Sequence, residues 1–369
     1  MQFKKNNVYL RNKQTMIFRI KILFCSLFLF IVVQSIIYIR SIDFFKSYHK
    51  YFVPKHDLYC HFLSVYDTLP SVKDDKIVKD TSIFFLETSC NSYNRGKILI
   101  RSRQACAVES AARMNPNKTV YLLYASPGMF RDDHTQSDEL IKNLMAYSNI
   151  KLQYLNMKKF VQGTPVEKLW TSEKIYRSKY ILPHMSDILR YLTLWKYGGI
   201  YIDLDVIVTK NLDSLEQNFA GAEDSNYIAS GVMGFSSKGI GHQYVNSCVY
   251  DLAENFDGDA WSANGPLVVT NLGNRLCNAD FKDFIGQSCQ DFHIYPPEAF
   301  YAIPFHTWEQ FFNNSELANV KEKTQDSYLI HVWNKLSYHA KIPIEDDVPY
   351  LDFARKYCPG TVRHLKRYF

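Results

Sequence analysis

The sequence predicts an α/β domain with a mostly parallel sheet. Two observations carry this: strand-like apolar segments alternate with helical ones from about residue 81, and the stretch "YGGIYIDLDVIV" reads as an interior strand that closes on two acids. In chain order, "SIFFLE" is a strand, "RQACAVESAARMNP" a helix stopped by Pro116, "TVYLLYAS" a strand stopped by Pro127, and "IKLQYLN" another strand. "HMSDILRYLTLWKYGG" follows as a helix, with Ser186 at its N-cap, Asp187 in the first turn and Gly198 at its C-cap. It leads through a tight Gly-Gly turn into the strand from Ile200 to Val208. No internal repeat or low-complexity tract interrupts this order.

Strand alternation puts Asp203 and Asp205 on one side and Leu204 on the other. Two carboxylates so close repel, and burial raises that cost unless a positive charge sits beside them. A divalent cation satisfies both. In open α/β sheets ligands gather at the carboxyl ends of strands, where these acids stand. Asp187 and Arg190, at i and i+3, share a helical face and suit either a surface ion pair or a shared site.

The 369 residues, 47% of them apolar, are enough for one large or two ordinary domains with a substantial core. Residues 1–21 carry six basic side chains and no acid, which accounts for the whole formal charge of +6. The remainder is balanced, and this composition excludes a basic nucleic-acid binder. Residues 22–39 form an uncharged apolar run long enough to cross a bilayer, and they end in bulky Tyr38, Ile39 and Arg40 rather than small residues. The expectation is a cytoplasmic basic tail (1–21), a transmembrane signal anchor (22–39), a loosely packed stem (40–80) and a lumenal catalytic domain (81–369). Seven of the eight cysteines lie beyond the apolar run, an odd number that leaves at least one without an intrachain partner. Cys277 and Cys289 are the first pair expected. Asn117 and Asn313 head N-glycosylation sequons.

A lumenal α/β domain with an acid pair at a strand end fits nucleotide-sugar chemistry. A departing nucleoside diphosphate gains negative charge that a bound metal stabilises, and carboxylate and phosphate oxygens suit Mn2+ or Mg2+. "FLETS", "CAVESAARMNP", "YILPHMSDILRYLTLWKYGGIYIDLDVIV", "NGPLVVT", "YPPEAFYAIPFHTWEQFF" and "HVWNK" occur in this order. Together they resemble the α-1,4-glycosyltransferase family of lactosylceramide α-1,4-galactosyltransferase.

The resemblance implies a Golgi type II membrane protein with a GT-A type, Rossmann-like fold. It would use a UDP-sugar and a divalent metal and would transfer with retention. Members of this pattern move galactose or N-acetylgalactosamine to the terminal sugar of glycosphingolipids. A sister branch, the alternative reading, moves N-acetylglucosamine to glycoprotein glycans.

Asp205 is then the expected direct metal ligand, Asp203 reaches the ribose and the metal shell, and Asp187 and Arg190 serve the donor hydroxyls and the diphosphate. His331 is a third metal ligand or a core residue, and Trp333 lines the sugar site or fills the core. Tyr201, Ser230, Gly231, Asn264 and Gly265 complete the expected UDP-sugar contacts. Asn264 stands where many relatives show Gln and Ser230 where they often show Asn, which weakens any transfer of sugar specificity. Front-face displacement is the expected mechanism; Glu109, Glu223 and Asp224 remain open as nucleophiles for a double displacement.

The implied partners are a glycosphingolipid acceptor, a nucleotide-sugar donor and the Golgi membrane, with self-association or complexes with other Golgi transferases left open. Nucleic acid is not among them. Two rival classes are weighed. A metal-dependent phosphotransferase often shows a Gly-rich phosphate loop, which this sequence lacks. A Golgi scaffold that keeps the fold without catalysis would be expected to lose the acids that this chain retains.

Overall fold

The computed structural model describes residues 26–35, 57–172 and 174–369. It divides into a unit of residues 1–55 and a unit of residues 56–369. In the first, residues 26–35 form a helix with exposed apolar side chains. Among the described residues no helix is long and apolar enough to cross a membrane. The basic tail and the rest of the expected 22–39 anchor lie outside the described residues.

The second unit is built on an eight-stranded sheet of order β3-β2-β1-β4-β7-β6-β9-β8. Strands β1 (Ile83–Glu87), β2 (Val120–Tyr124), β3 (Ile150–Tyr154) and β4 (Gly199–Ile202) run parallel. β7 (Ile228–Phe235) pairs antiparallel with both β4 and β6 (Phe219–Ala222). β9 (Phe292–Tyr295) runs parallel to β6, and β8 (Ser288–Cys289) closes the edge.

The run of apolar residues in β1 serves two cores. Phe84 and Leu86 enter the layer beneath helices α3 (Ile181–Tyr197), α4 (Gly239–Asn255) and α5 (Pro266–Cys277). Ile83 and Phe85 enter the layer beneath α1 (Ser102–Met114) and α2 (Gln136–Met145). A sheet covered on both faces has no use for polar alternation, so its central strands read as continuous apolar runs.

Three expectations need correction. The run from Ile200 to Val208 is not one strand. The chain leaves the main sheet after Ile202, turns through 203–205, and resumes as β5 (Val206–Val208) in a separate antiparallel pair with β10 (Leu329–His331). The two carboxylates sit in that break, where neither must be buried in a sheet face.

Helix α3 begins at Ile181, so Ser186 lies in its second turn rather than at its N-cap. Pro183 is compatible with this because its missing N–H falls in the first turn, where none is needed. At the other end Gly198 and Gly199 take φ of +64° and +84°, and a side chain on either would strike backbone 2.5 Å away.

The stretch 57–80, expected as a loose stem, packs into the domain. Leu58, Cys60, Leu69 and Ile77 are buried. Val72 N–H donates to Tyr154 O and Tyr154 N–H to Pro70 O, which covers the open edge of β3. Disulfides join Cys60 to Cys90, Cys106 to Cys358 and Cys277 to Cys289, the last being the expected pair; Cys248 is a buried free thiol.

Candidate active site

The geometry around the acid pair follows from strand register. β10 pairs with β5 so that His331 lies opposite Val206, one residue beyond Asp205, and Val332 N–H donates to Asp205 O at 2.9 Å. This sets His331 Nε2 3.1 Å from Asp205 Oδ1, while Asn334 N–H donates to Asp205 Oδ2 at 2.8 Å. Asp203, Asp205 and His331 each offer one ligand atom, all within 4.8 Å of one another. Two carboxylate oxygens and an imidazole nitrogen fit a divalent cation of the Mn2+ or Mg2+ kind.

The local charges agree with such a site. Burial pushes Asp203 up, opposed by Arg190 and reinforced by Asp205. Burial acts against Asp205 too, but His331 and the Asn334 N–H hold that carboxylate below its ordinary range. Burial would lower His331, yet Asp205 beside it holds the imidazole above its usual value.

Asp187 and Arg190 are no surface pair. Both are buried on the inner face of α3, with Arg190 Nε 3.4 Å from Asp187 Oδ1. The guanidinium also donates to Asp203 Oδ2 at 3.3 Å, to Ser230 O at 3.0 Å and to Ser186 Oγ at 3.1 Å, and it lies 4.9 Å from the Tyr201 ring centroid. Arg190 therefore ties the helix to β7 and to the first acid of the pair. Burial, only partly offset by Arg190, raises Asp187 to about 6. Gly265 makes room for that carboxylate: a Cβ there would stand 2.4 Å from Asp187 Oδ1 and 2.8 Å from Ser230 Oγ.

These groups line one cavity of about 630 Å³. Asp187, Arg190, Asp203, Asp205, Ser230, Gly231, His331 and Trp333 all face it. Trp333 is in the left-handed region at φ 51°, a conformation bulky residues rarely adopt, and its indole N–H donates to Ile303 O at 2.8 Å. That bond, and contact with the His331 ring at 4.4 Å between centroids, hold the indole at the cavity wall.

Other expected residues lie behind the wall. Tyr201 is buried, and its hydroxyl donates to Asp203 Oδ1, so it supports an acid rather than meeting a ligand. Asn264 is spent on its own loop: its Oδ1 accepts from Asp257 N–H at 3.0 Å and its amide donates to Asp257 O. Gly265 O accepts from the Tyr191 hydroxyl at 2.7 Å. Of the three acids left open as nucleophiles, Glu109 does not line the cavity and accepts from Gly360 N–H, Thr361 N–H and the Thr361 hydroxyl. Glu223 and Asp224 do line the cavity. Asn117 and Asn313 are exposed.

Sequence reasoning missed Trp261, Tyr301, Phe305 and Lys335 in the cavity wall, and Arg103 behind it. Arg103 donates to Ser337 O at 3.0 Å, and its guanidinium lies 5.2 Å from the Phe312 and 5.4 Å from the Tyr350 ring centroid. It thereby braces the turn that follows His331. No spacing in the sequence announces this, since the contact spans 234 residues.

Two family descriptions match the chain: "Glycosyltransferase sugar-binding region containing DXD motif" over residues 101–220 and "Alpha 1,4-glycosyltransferase conserved region" over residues 237–365. Lactosylceramide 4-alpha-galactosyltransferase of Mus musculus is 31% identical over 344 residues, covering 92% of this chain and 89% of that protein. Alpha-1,4-N-acetylglucosaminyltransferase of Homo sapiens is 27% identical, covering 74% and 82%. A galactosyltransferase solved with donor and acceptor sugar analogues overlaps loosely, with a TM-score of 0.36 and 13% identity over 76% of this chain and 95% of that one.

Proposed function

We propose a specific transfer for this chain on the premise that it belongs to the α-1,4-glycosyltransferase family and is a hexosyltransferase with a GT-A-like domain. The reaction is movement of galactose or N-acetylgalactosamine from UDP to the terminal sugar of a glycosphingolipid, with retention of anomeric configuration. The observation that carries it is the convergence of Asp203, Asp205 and His331 within 4.8 Å in a cavity that also holds Asp187 and Arg190.

Asp203, Asp205 and His331 would hold Mn2+ or Mg2+, which supplies Lewis-acid stabilisation of the departing UDP. Asp187 accepts hydrogen bonds from donor-sugar hydroxyls. Arg190 keeps Asp203 and Ser230 in place and adds a fixed positive charge to the wall along which the diphosphate lies. The acceptor hydroxyl attacks from the face the phosphate leaves, and the leaving phosphate oxygen takes its proton. Glu223 and Asp224 are the two acids available for the competing double displacement, and a covalent glycosyl-enzyme on either would refute the front-face path.

The 22–39 run supports a single-pass anchor with the catalytic domain in the Golgi lumen, and the exposed sequons and three disulfides accord with that compartment. Self-association and association with other Golgi transferases remain part of the proposal.

The test is metal-dependent UDP release from UDP-galactose, UDP-N-acetylgalactosamine and UDP-N-acetylglucosamine. Lactosylceramide, an N-acetylhexosamine-terminated glycolipid and a mucin-type glycan serve as acceptors. Acceptor-stimulated release with a galactose-series donor and a glycolipid, lost in Asp205→Asn, is the expected result. Release only with UDP-N-acetylglucosamine and the mucin-type glycan would replace it with the sister activity.

A further inference from the structure

Tyr301 is nearly fully buried, yet its hydroxyl has no hydrogen-bond partner. Its ring lies across two strands that each carry a glycine beneath it. A Cβ on Gly221 of β6 would stand 3.2 Å from Tyr301 Cε2, and one on Gly231 of β7 would stand 3.2 Å from the hydroxyl and 2.9 Å from Asp203 Oδ2. The glycine on β7 thus leaves room for the hydroxyl, which comes out beside Asp203, while that on β6 chiefly seats the neighbouring Phe300 ring, 2.4 Å from a Cβ there. Packing alone would be served as well by Phe, because a buried hydroxyl without a partner costs about 1–3 kcal/mol. Its presence calls for a partner that arrives with the substrate.

Glu223 supplies the second half of the observation. It follows directly on β6, lines the same cavity as Tyr301, and has no hydrogen bond or ion pair to its carboxylate among the described residues. Burial raises its pKa, against the pull of His331. The Tyr301 hydroxyl offers its O–H as a donor. One cavity therefore receives a donor and an acceptor, both unspent.

A phosphate oxygen only accepts, and a carboxylate repels it. A sugar hydroxyl both donates and accepts, and matches both groups. In the proposed function the transferred sugar is joined to a phosphate held at the Asp203–Asp205–His331 cluster, so its hydroxyls enter the cavity that Tyr301 and Glu223 line. We propose that Tyr301 and Glu223 together read a hydroxyl group of the transferred hexose in the nucleotide-sugar donor. Tyr301 donates to that oxygen and Glu223 accepts from it. This rests on the proposed function, since it assigns a subsite within that donor site.

The experiment measures binding of UDP and of each UDP-sugar, with Mn2+, to the full chain and to Tyr301→Phe and Glu223→Gln, alongside turnover and thermal melting. For the donor that the wild type uses, both variants should bind the UDP-sugar roughly ten- to a hundredfold more weakly. UDP affinity and acceptor KM should stay within about twofold of wild type, and metal-free Tyr301→Phe should melt no lower than wild type. Equal loss of UDP and UDP-sugar binding would place these groups on the diphosphate or metal and overturn the proposal, as would a rise confined to acceptor KM, unchanged UDP-sugar binding, or a Tyr301→Phe melt well below wild type. If the wild type itself bound no UDP-sugar, the proposed function would fall and this subsite with it; a functional wild type with indifferent variants removes the subsite alone.

Discussion

Replacing Asp187 by Asn should make the metal-free protein more stable at neutral pH while removing its activity. The carboxylate is buried on α3, its nearest cation is 3.4 Å away, and Asp203 adds like charge. Burial is the largest influence and raises its pKa from 3.8 to about 6. A rise of about two units corresponds to about 3 kcal/mol by which the ionised side chain disfavours the folded state.

Because the folded protein binds this proton more tightly than the unfolded chain, stability contributed by the protonated form is lost as pH rises from about 4 through about 6. Asparagine keeps the volume and escapes that loss. Melting followed by circular dichroism, with a chelator present, should show the Asn variant melting higher than wild type by on the order of 5 °C near pH 7.5. The gap should shrink to a fraction of that near pH 4.5, where the wild-type side chain is already protonated. UDP release should fall at least about a hundredfold. A variant that melts below wild type near pH 7.5 would refute the reasoning, because it would mean that Arg190 and the surrounding dipoles overcompensate burial.

Gly265→Ala should cut turnover by roughly tenfold or more, because the new methyl displaces Asp187 by its 2.4 Å approach; normal turnover would show that the carboxylate position is not critical. Asp205→Asn should abolish metal-dependent UDP release and the Mn2+-induced rise in melting temperature together; a retained rise would assign the metal elsewhere. Cys358→Ser opens a bridge spanning 252 residues, and the chain-entropy argument puts its contribution on the order of 5 kcal/mol, seen as a lower melting temperature even at saturating UDP-sugar; an unchanged melt would locate the stability in the C-terminal packing instead.

What the sequence displayed was whatever depends on near neighbours. β1 and β2 were visible because strands covered on both faces must be apolar throughout, β3 because its apolar residues alternate with Lys151 and Gln153, and α1 because its helical segment ends before Pro116. The acid pair was visible because charge inside such a run is costly. The start of α3 was misplaced by six residues of ordinary helix, since a serine resembles a cap whether or not a turn precedes it. The break at 203–205 was hidden because it depends on β10, which joins β5 from the far end of the chain.

Asn264 and Tyr201 were assigned to the ligand because proximity in sequence to a motif does not say which way a side chain faces. Tyr301 was missed for the converse reason: its meaning lies in two glycines on other strands and in a hydroxyl without a partner, none of which leaves a local pattern.

The pairing of β5 with β10 bears on how the enzyme comes into being. Asp205 and the Asn334 N–H that holds it are 129 residues apart, so the ribosome finishes the acid pair long before it makes their imidazole and the turn that fixes them. The parallel strands and α3 can assemble during that interval, but the proposed metal site is complete only when the last segment docks. Until then Asp203 has Arg190 as its partner, while Asp205 lacks both the His331 imidazole and the Asn334 N–H. A chain released early would therefore resemble its parent in much of its fold and yet lack the imidazole of the proposed site, so that completing the chain also completes the site.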